Sequence, residues 1–135
     1  MKSKYILTAC SIVLGIIGIL LVFLPQETAS ILGIGPNQPT LLVLQITGSL
    51  YLGFGFLNWM NKNNLTGGIY GRPLIIGNLA HFLVGSLSLI KTLAKAGHHF
   101  TFMLGLAILY TVFTLGFVYL LFTTPKEVKP HANKI

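Results

Sequence analysis

The sequence predicts an all-α integral membrane bundle of four transmembrane helices, running up-down-up-down as a single membrane domain over residues 1–135. Three observations predict it. Only 8% of the residues are charged and 53% are hydrophobic, whereas a soluble domain carries about 25% charged residues. The apolar residues gather into four runs, each close to the roughly 20 residues needed to cross a bilayer. Short polar or Gly/Pro-containing stretches separate the runs. A chain so poor in polar groups cannot cover its own surface, so lipid is its expected solvent.

The first span runs from about Tyr5 to Leu24 and is stopped by Pro25. The segment between Pro25 and Thr40 holds no Lys or Arg; Pro25-Gln26-Glu27 opens a short interfacial helix that presents Ile31 and Leu32 and ends at Gly33. The second span covers about Leu41 to Met60 and gives way to Asn61-Lys62-Asn63-Asn64. A glycine-rich loop, Thr66 to Pro73, leads to the third span, about Leu74 to Leu93, with Pro73 suited to its first turn. Lys91 near the end of that span extends its charged tip toward the headgroups. Lys95-Ala96-Gly97-His98-His99 makes a compact turn before the fourth span, about Phe100 to Phe122, and a basic tail follows over 123–135.

Four spans put both termini on one side. Lys2, Lys4, Lys62, Arg72, Lys126, Lys129 and Lys134 fall on that side, against Lys91 and Lys95 opposite, so the positive-inside rule expects cytoplasmic termini. Trp59, Tyr70 and Tyr119 then fall near the cytoplasmic interface, where amphipathic rings are favoured. This explains the formal charge of +7 better than nucleic acid does, since the basic residues punctuate the apolar runs instead of lining one face. The lipid bilayer is the expected partner, together with a second copy or another membrane protein. No nucleic acid is expected.

Cys10 is the sole cysteine, which excludes an intramolecular disulfide and any paired-cysteine redox or zinc motif. Leu7-Thr8-Ala9-Cys10 spells a bacterial lipobox, but only Tyr5 and Ile6 separate it from Lys4, too few for a signal peptide's apolar stretch. An uncleaved first helix is the better reading.

Inside the bilayer each polar group costs free energy unless it finds a partner, so such groups are the natural starting point for function. No Asp, Glu, Lys or Arg lies in the middle of a span, which weighs against a proton-driven pump. On span three, Asn78, His81, Gly85 and Ser88 share one helix face by spacing. On span two, Gln45, Gly48 and Gly55 share another, with Tyr51 and Asn58 displaced around the helix. If the faces meet, Gln45 or Asn58 pairs with His81 or Asn78. Gln45, Asn58, Asn78, His81 and Ser88 are therefore the candidate ligand or interhelical polar patch. One reading has amides and imidazole tying helices together, each bond adding about 0.6–2 kcal/mol; the other has His81 binding a quinone headgroup, haem or metal. Haem would want a second axial ligand that His98, His99 and His131 do not offer from outside the span.

His98-His99 has no Asp, Glu or Cys nearby to complete a metal shell, and reads as a solvated turn. Asn64-Leu65-Thr66 matches a glycosylation sequon on the expected cytoplasmic side. Ser11, Gly15 and Gly18 on span one, and Gly105 with Gly116 on span four, read as packing surfaces. Arg72, before span three, is a candidate contact for a lipid phosphate or a partner carboxylate, besides its part in orientation.

The run Gly48-Ser49-Leu50-Tyr51-Leu52-Gly53-Phe54-Gly55-Phe56-Leu57-Asn58-Trp59-Met60, followed by Gly67-Gly68-Ile69-Tyr70-Gly71-Arg72-Pro73-Leu74 and by Gly77-Asn78 with His81-Phe82, resembles uncharacterised small four-helix membrane proteins of bacteria, a kind common among Bacteroidetes. The likeness covers most of the chain and is densest from Gly48 to Gly85. In helix count and size the chain is loosely similar to DoxX-like proteins. The resemblance implies a bacterial inner-membrane setting and the four-span layout, and it carries over no catalytic or binding residue.

No nucleophile with an adjacent base, no carboxylate pair and no metal shell can be assembled, so neither enzymatic activity nor a cofactor is expected. The sequence points to an accessory or interaction subunit, or a binder of lipid or another apolar molecule, acting where spans two and three meet. The alternative is a small-molecule channel or transporter with Gln45, Asn78 and Ser88 along a narrow polar path.

Overall fold

The computed structural model describes residues 2–64, 71–93, 97 and 100–123. Five helices form among them: α1 Lys2–Phe23, α2 Pro25–Ile31, α3 Gln38–Asn61, α4 Gly71–Leu93 and α5 Phe100–Thr123. α1, α3, α4 and α5 are each long and apolar enough to cross a membrane. The expectations on Thr66 to Tyr70, on the sequon beyond Asn64, on Lys95, His98 and His99, and on the tail with Lys126, Lys129, His131 and Lys134 lie outside the described residues.

Local chemistry sets the helix ends. Leu24 leaves helical geometry at φ −125° and ψ 49°, and Pro25, which lacks an N–H, opens α2 where none is needed. α2 closes on Gly33 at φ 69°: the Gly33 N–H reaches the Ser30 carbonyl at 3.1 Å and the Ile34 N–H the Ala29 carbonyl at 3.0 Å. This double closure requires a left-handed residue, hence glycine. The short helix expected here is present, with Ala29 buried and Ile31 exposed.

Three spans begin earlier than expected, α1 already at Lys2. The Asn37 side chain accepts from the Thr40 N–H at 2.9 Å, capping α3 three residues ahead of Leu41. α4 begins at Gly71, so Pro73 stands in its first turn as expected, and Gly71 and Arg72 join it there and not in the loop. Proline is tolerated there because first-turn N–H groups have no intrahelical acceptor. The Arg72 side chain is exposed.

The four spans are antiparallel in sequence and pack as two intimate pairs, α1 with α3 and α4 with α5. Lipid tails are as apolar as leucine, so close helix contact depends on shape and hydrogen bonding, not on escape from water. Shape joins α1 to α3. A methyl group on Gly48 would lie 2.7 Å from Leu21 Cβ and 2.9 Å from the Gly18 carbonyl oxygen, and one on Gly55 would lie 3.3 Å from the Ser11 carbonyl oxygen. The Gly48/Gly55 face thus packs on Ser11, Gly15 and Gly18 of α1 and does not meet span three.

Aromatic stacking joins α4 to α5. Phe82, fully buried, lies 4.9 Å from Phe113 and 5.8 Å from Phe117 by ring centroid, both stacked, and 5.1 Å from Tyr110, edge-on. A Cβ on Gly116 would lie 3.6 Å from Ile6 of α1, whereas one on Gly105 would meet nothing within 4 Å. Gly105 is therefore not a packing position, because it sits on the outer side of α5.

Lys4, Lys62 and Arg72 all fall at the end of the bundle where α1 and α4 start and α3 stops, and Lys91 falls near the other. The Lys62 ammonium lies over the Trp59 ring, 2.8 Å from its centroid. Partial desolvation first, and the positive charge of Lys4 second, lower its pKa from the ordinary lysine value.

Candidate functional site

The backbones of α3 and α4 approach each other at few points, and side chains span the gap in two layers. In the first, Asn58 Nδ2 donates to Asn78 Oδ1 at 2.8 Å and Asn78 Nδ2 donates back to Asn58 Oδ1 at 2.9 Å. The remaining amide protons are also placed: Asn58 Nδ2 donates to Cys10 Sγ at 3.2 Å, and Asn78 Nδ2 to the Leu74 carbonyl at 2.9 Å. The Cys10 thiol points at Asn78 Oδ1 from 3.7 Å. All three side chains are fully buried. This layer is a closed exchange of hydrogen bonds linking α1, α3 and α4, and each of its amide nitrogens and oxygens has a partner.

The second layer lies about two turns along α3. The hydroxyls of Tyr51 and Tyr110 are 2.6 Å apart, and the Tyr110 hydroxyl is 3.5 Å from His81 Nε2. Four rings surround the His81 imidazole. Phe54 is stacked against it at 5.7 Å, Tyr51 and Phe82 meet it edge-on at 5.1 and 5.0 Å, and Tyr110 is tilted at 5.6 Å. Gly85 makes this layer fit: a Cβ there would lie 2.5 Å from the Tyr110 ring.

The candidate patch thus divides. Asn58 pairs with Asn78, and His81 sits one layer along among aromatic rings. Gln45 and Ser88 are exposed and join neither layer. Gln45 lies on the Gly48 side of α3, away from α4, and is exposed. Ser88 continues the row of Asn78, His81 and Gly85 on α4, beyond the last cross-seam contact. Arg72 stands apart at the end of α4. Sequence spacing did not bring in Cys10, Tyr110 or Phe54. A signal existed for Tyr110: a phenol in the middle of a 24-residue span needs a hydrogen-bond partner as much as an amide does.

Among the described residues no buried side-chain nitrogen or oxygen lacks a partner, and no three His, Cys, Asp or Glu side chains gather as a metal site. The chemistry available to the seam is hydrogen bonding and aromatic contact. No known protein family, curated protein or solved structure matches the chain.

Proposed function

We propose that this chain is a non-enzymatic protein of the bacterial inner (plasma) membrane with both termini in the cytoplasm, an accessory subunit or a binder of lipid or another apolar molecule, acting through the α3/α4 seam. The setting is supported by the likeness to small four-helix bacterial membrane proteins and by the basic residues at one end of the bundle. The observation that carries the binding role is the contrast between the two layers. The Asn58–Asn78 layer is closed by its own hydrogen bonds, whereas His81 Nδ1 makes none to the described residues. Among the described residues the seam is a hydrogen-bonded closure with His81 Nδ1 unpaired beside it.

A channel or transporter draws weaker support. Of its three polar residues, Asn78 is fully committed to Asn58 and Leu74, and Gln45 and Ser88 are on the outside. Native mass spectrometry of the protein, extracted gently from its own membrane, tests the proposal. A stoichiometric small molecule or partner chain supports it. Substrate turnover abolished by His81→Ala, or solute flux in liposomes above the empty-vesicle level, would overturn it.

A further inference from the structure

We infer that the α3/α4 seam selects an uncharged, membrane-dissolved molecule carrying a carbonyl group, which accepts a hydrogen bond from His81 Nδ1; this rests on the binding role proposed above. Three observations lead there. His81 is the eleventh residue of α4, counting from Gly71, so at 1.5 Å per residue it lies about 15 Å along the helix, at the middle of a hydrocarbon layer about 30 Å thick. Phospholipid headgroups do not reach that depth, whereas a molecule dissolved in the hydrocarbon does.

The second observation is access. His81 is partly exposed, its Nδ1 has no hydrogen-bond partner among the described residues, and no partnerless side-chain nitrogen there is buried. Nδ1 is therefore not sealed off inside the bundle. The cross-seam hydrogen bonds and ring contacts of α3 described above, to His81 and Asn78 on α4 and Tyr110 on α5, lie between Tyr51 and Asn58. Toward the N-terminus of α3 the seam is no longer bridged in this way. There Leu44 and Thr47 continue the row of Tyr51, Phe54 and Asn58, and the antiparallel run of α3 and α4 carries exposed Ser88 toward the same end. An apolar molecule enters from that side.

The third is the direction of the hydrogen-bond chain. If Tyr51 donates to Tyr110 and Tyr110 to His81 Nε2, the imidazole proton resides on Nδ1, and that N–H is the only donor left over. The reverse direction leaves the Tyr51 hydroxyl proton without an acceptor and Nδ1 without a donor. The first arrangement strands fewer polar groups and is preferred in a low-dielectric setting. A free N–H calls for an acceptor. With no charged side chain among the seam residues to balance an anion, that acceptor is a neutral carbonyl oxygen.

The test compares two probes of equal chain length, the ketone laurone and the alkane tricosane, in nanodiscs holding the purified protein. Wild type is expected to retain laurone roughly 3- to 30-fold better than tricosane, the worth of one hydrogen bond in a membrane. The laurone carbonyl stretch should move to lower wavenumber on binding. His81→Phe keeps the ring packing and should erase both the preference and the shift while still taking up tricosane. Ser88→Phe, which obstructs the entrance, should abolish uptake of both. Equal uptake of the two probes by wild type, or an unshifted carbonyl stretch, overturns carbonyl selection and leaves seam binding standing. Uptake of neither probe by wild type, or undiminished uptake by Ser88→Phe, overturns binding at the seam itself. Should His81→Phe fail to fold, the wild-type stretch decides.

Discussion

The two faces of α3 are built on opposite principles. Toward α1 it presents glycines, and the backbones close to a distance at which a single added carbon would collide with Leu21, Val22 and the Gly18 carbonyl. Toward α4 it presents Tyr51, Phe54 and Asn58, which reach across a gap that the backbones do not close. One contact is made by the absence of side chains and the other by their ends. The first tolerates no added volume; the second tolerates no unmatched polar atom. Substitutions should therefore fail for different reasons on the two sides.

The largest effect is expected from Gly48→Leu. Its Cβ alone would lie within 2.9 Å of three atoms on α1, so the helices must separate; a loss of about 3 kcal/mol or more is expected, read as unfolding at lower denaturant in detergent. A Gly48→Leu variant as stable as wild type would show that the close approach is not what holds α1 to α3.

Next comes Asn58→Leu, which strands the Asn78 amide in a fully buried site at a cost of about 1–3 kcal/mol. Removing both partners as Asn58→Leu with Asn78→Leu should cost less than the sum of the single changes, because neither amide is then left alone. Strict additivity in a double-mutant cycle would break the claim that the pair acts as one unit. Tyr51→Phe deletes the 2.6 Å hydroxyl contact but keeps the ring against His81, so a loss of about 0.5–1.5 kcal/mol is expected in the same assay. The smallest change belongs to Gly105→Ala. That site is open, and the expected shift is within about 0.5 kcal/mol or slightly stabilising, since alanine is the better helix former.

The spans, their breaks at Pro25 and after Met60, and the small helix ending at Gly33 were legible because each follows from a local rule: apolar run length, a missing N–H, a left-handed closure. The starts of α1, α3 and α4 were less so, since Lys2 to Lys4, capping by Asn37, and Gly71 with Arg72 ahead of Pro73 each carry a helix beyond its apolar run. Periodicity also grouped Asn78 with His81 correctly on one side of α4. It could not say which neighbour each face of α3 meets. Gln45 was grouped with Gly48 and Gly55, and that face turned to α1, leaving Gln45 outside. Tyr51 and Asn58, displaced from it, turned to α4. Cys10 was weighed only for disulfide pairing and lipobox processing, both set aside, and its place beside two amides depends on a three-helix geometry that no single-helix spacing contains.

The reciprocal amide pair also bears on the order in which the chain is assembled. α1 and α3 precede α4 in the sequence, so during synthesis they can associate through their glycine faces while the second half is still emerging. At that stage Cys10 is the one partner in the finished structure already available to Asn58, and its amide oxygen waits in the bilayer for a donor. Arrival of Asn78 satisfies both amides at once, at a single depth. The pair thereby acts as a register pin: a half-bundle that docks one helical turn out of place, about 5.4 Å along the axis, leaves two amides in hydrocarbon instead of none.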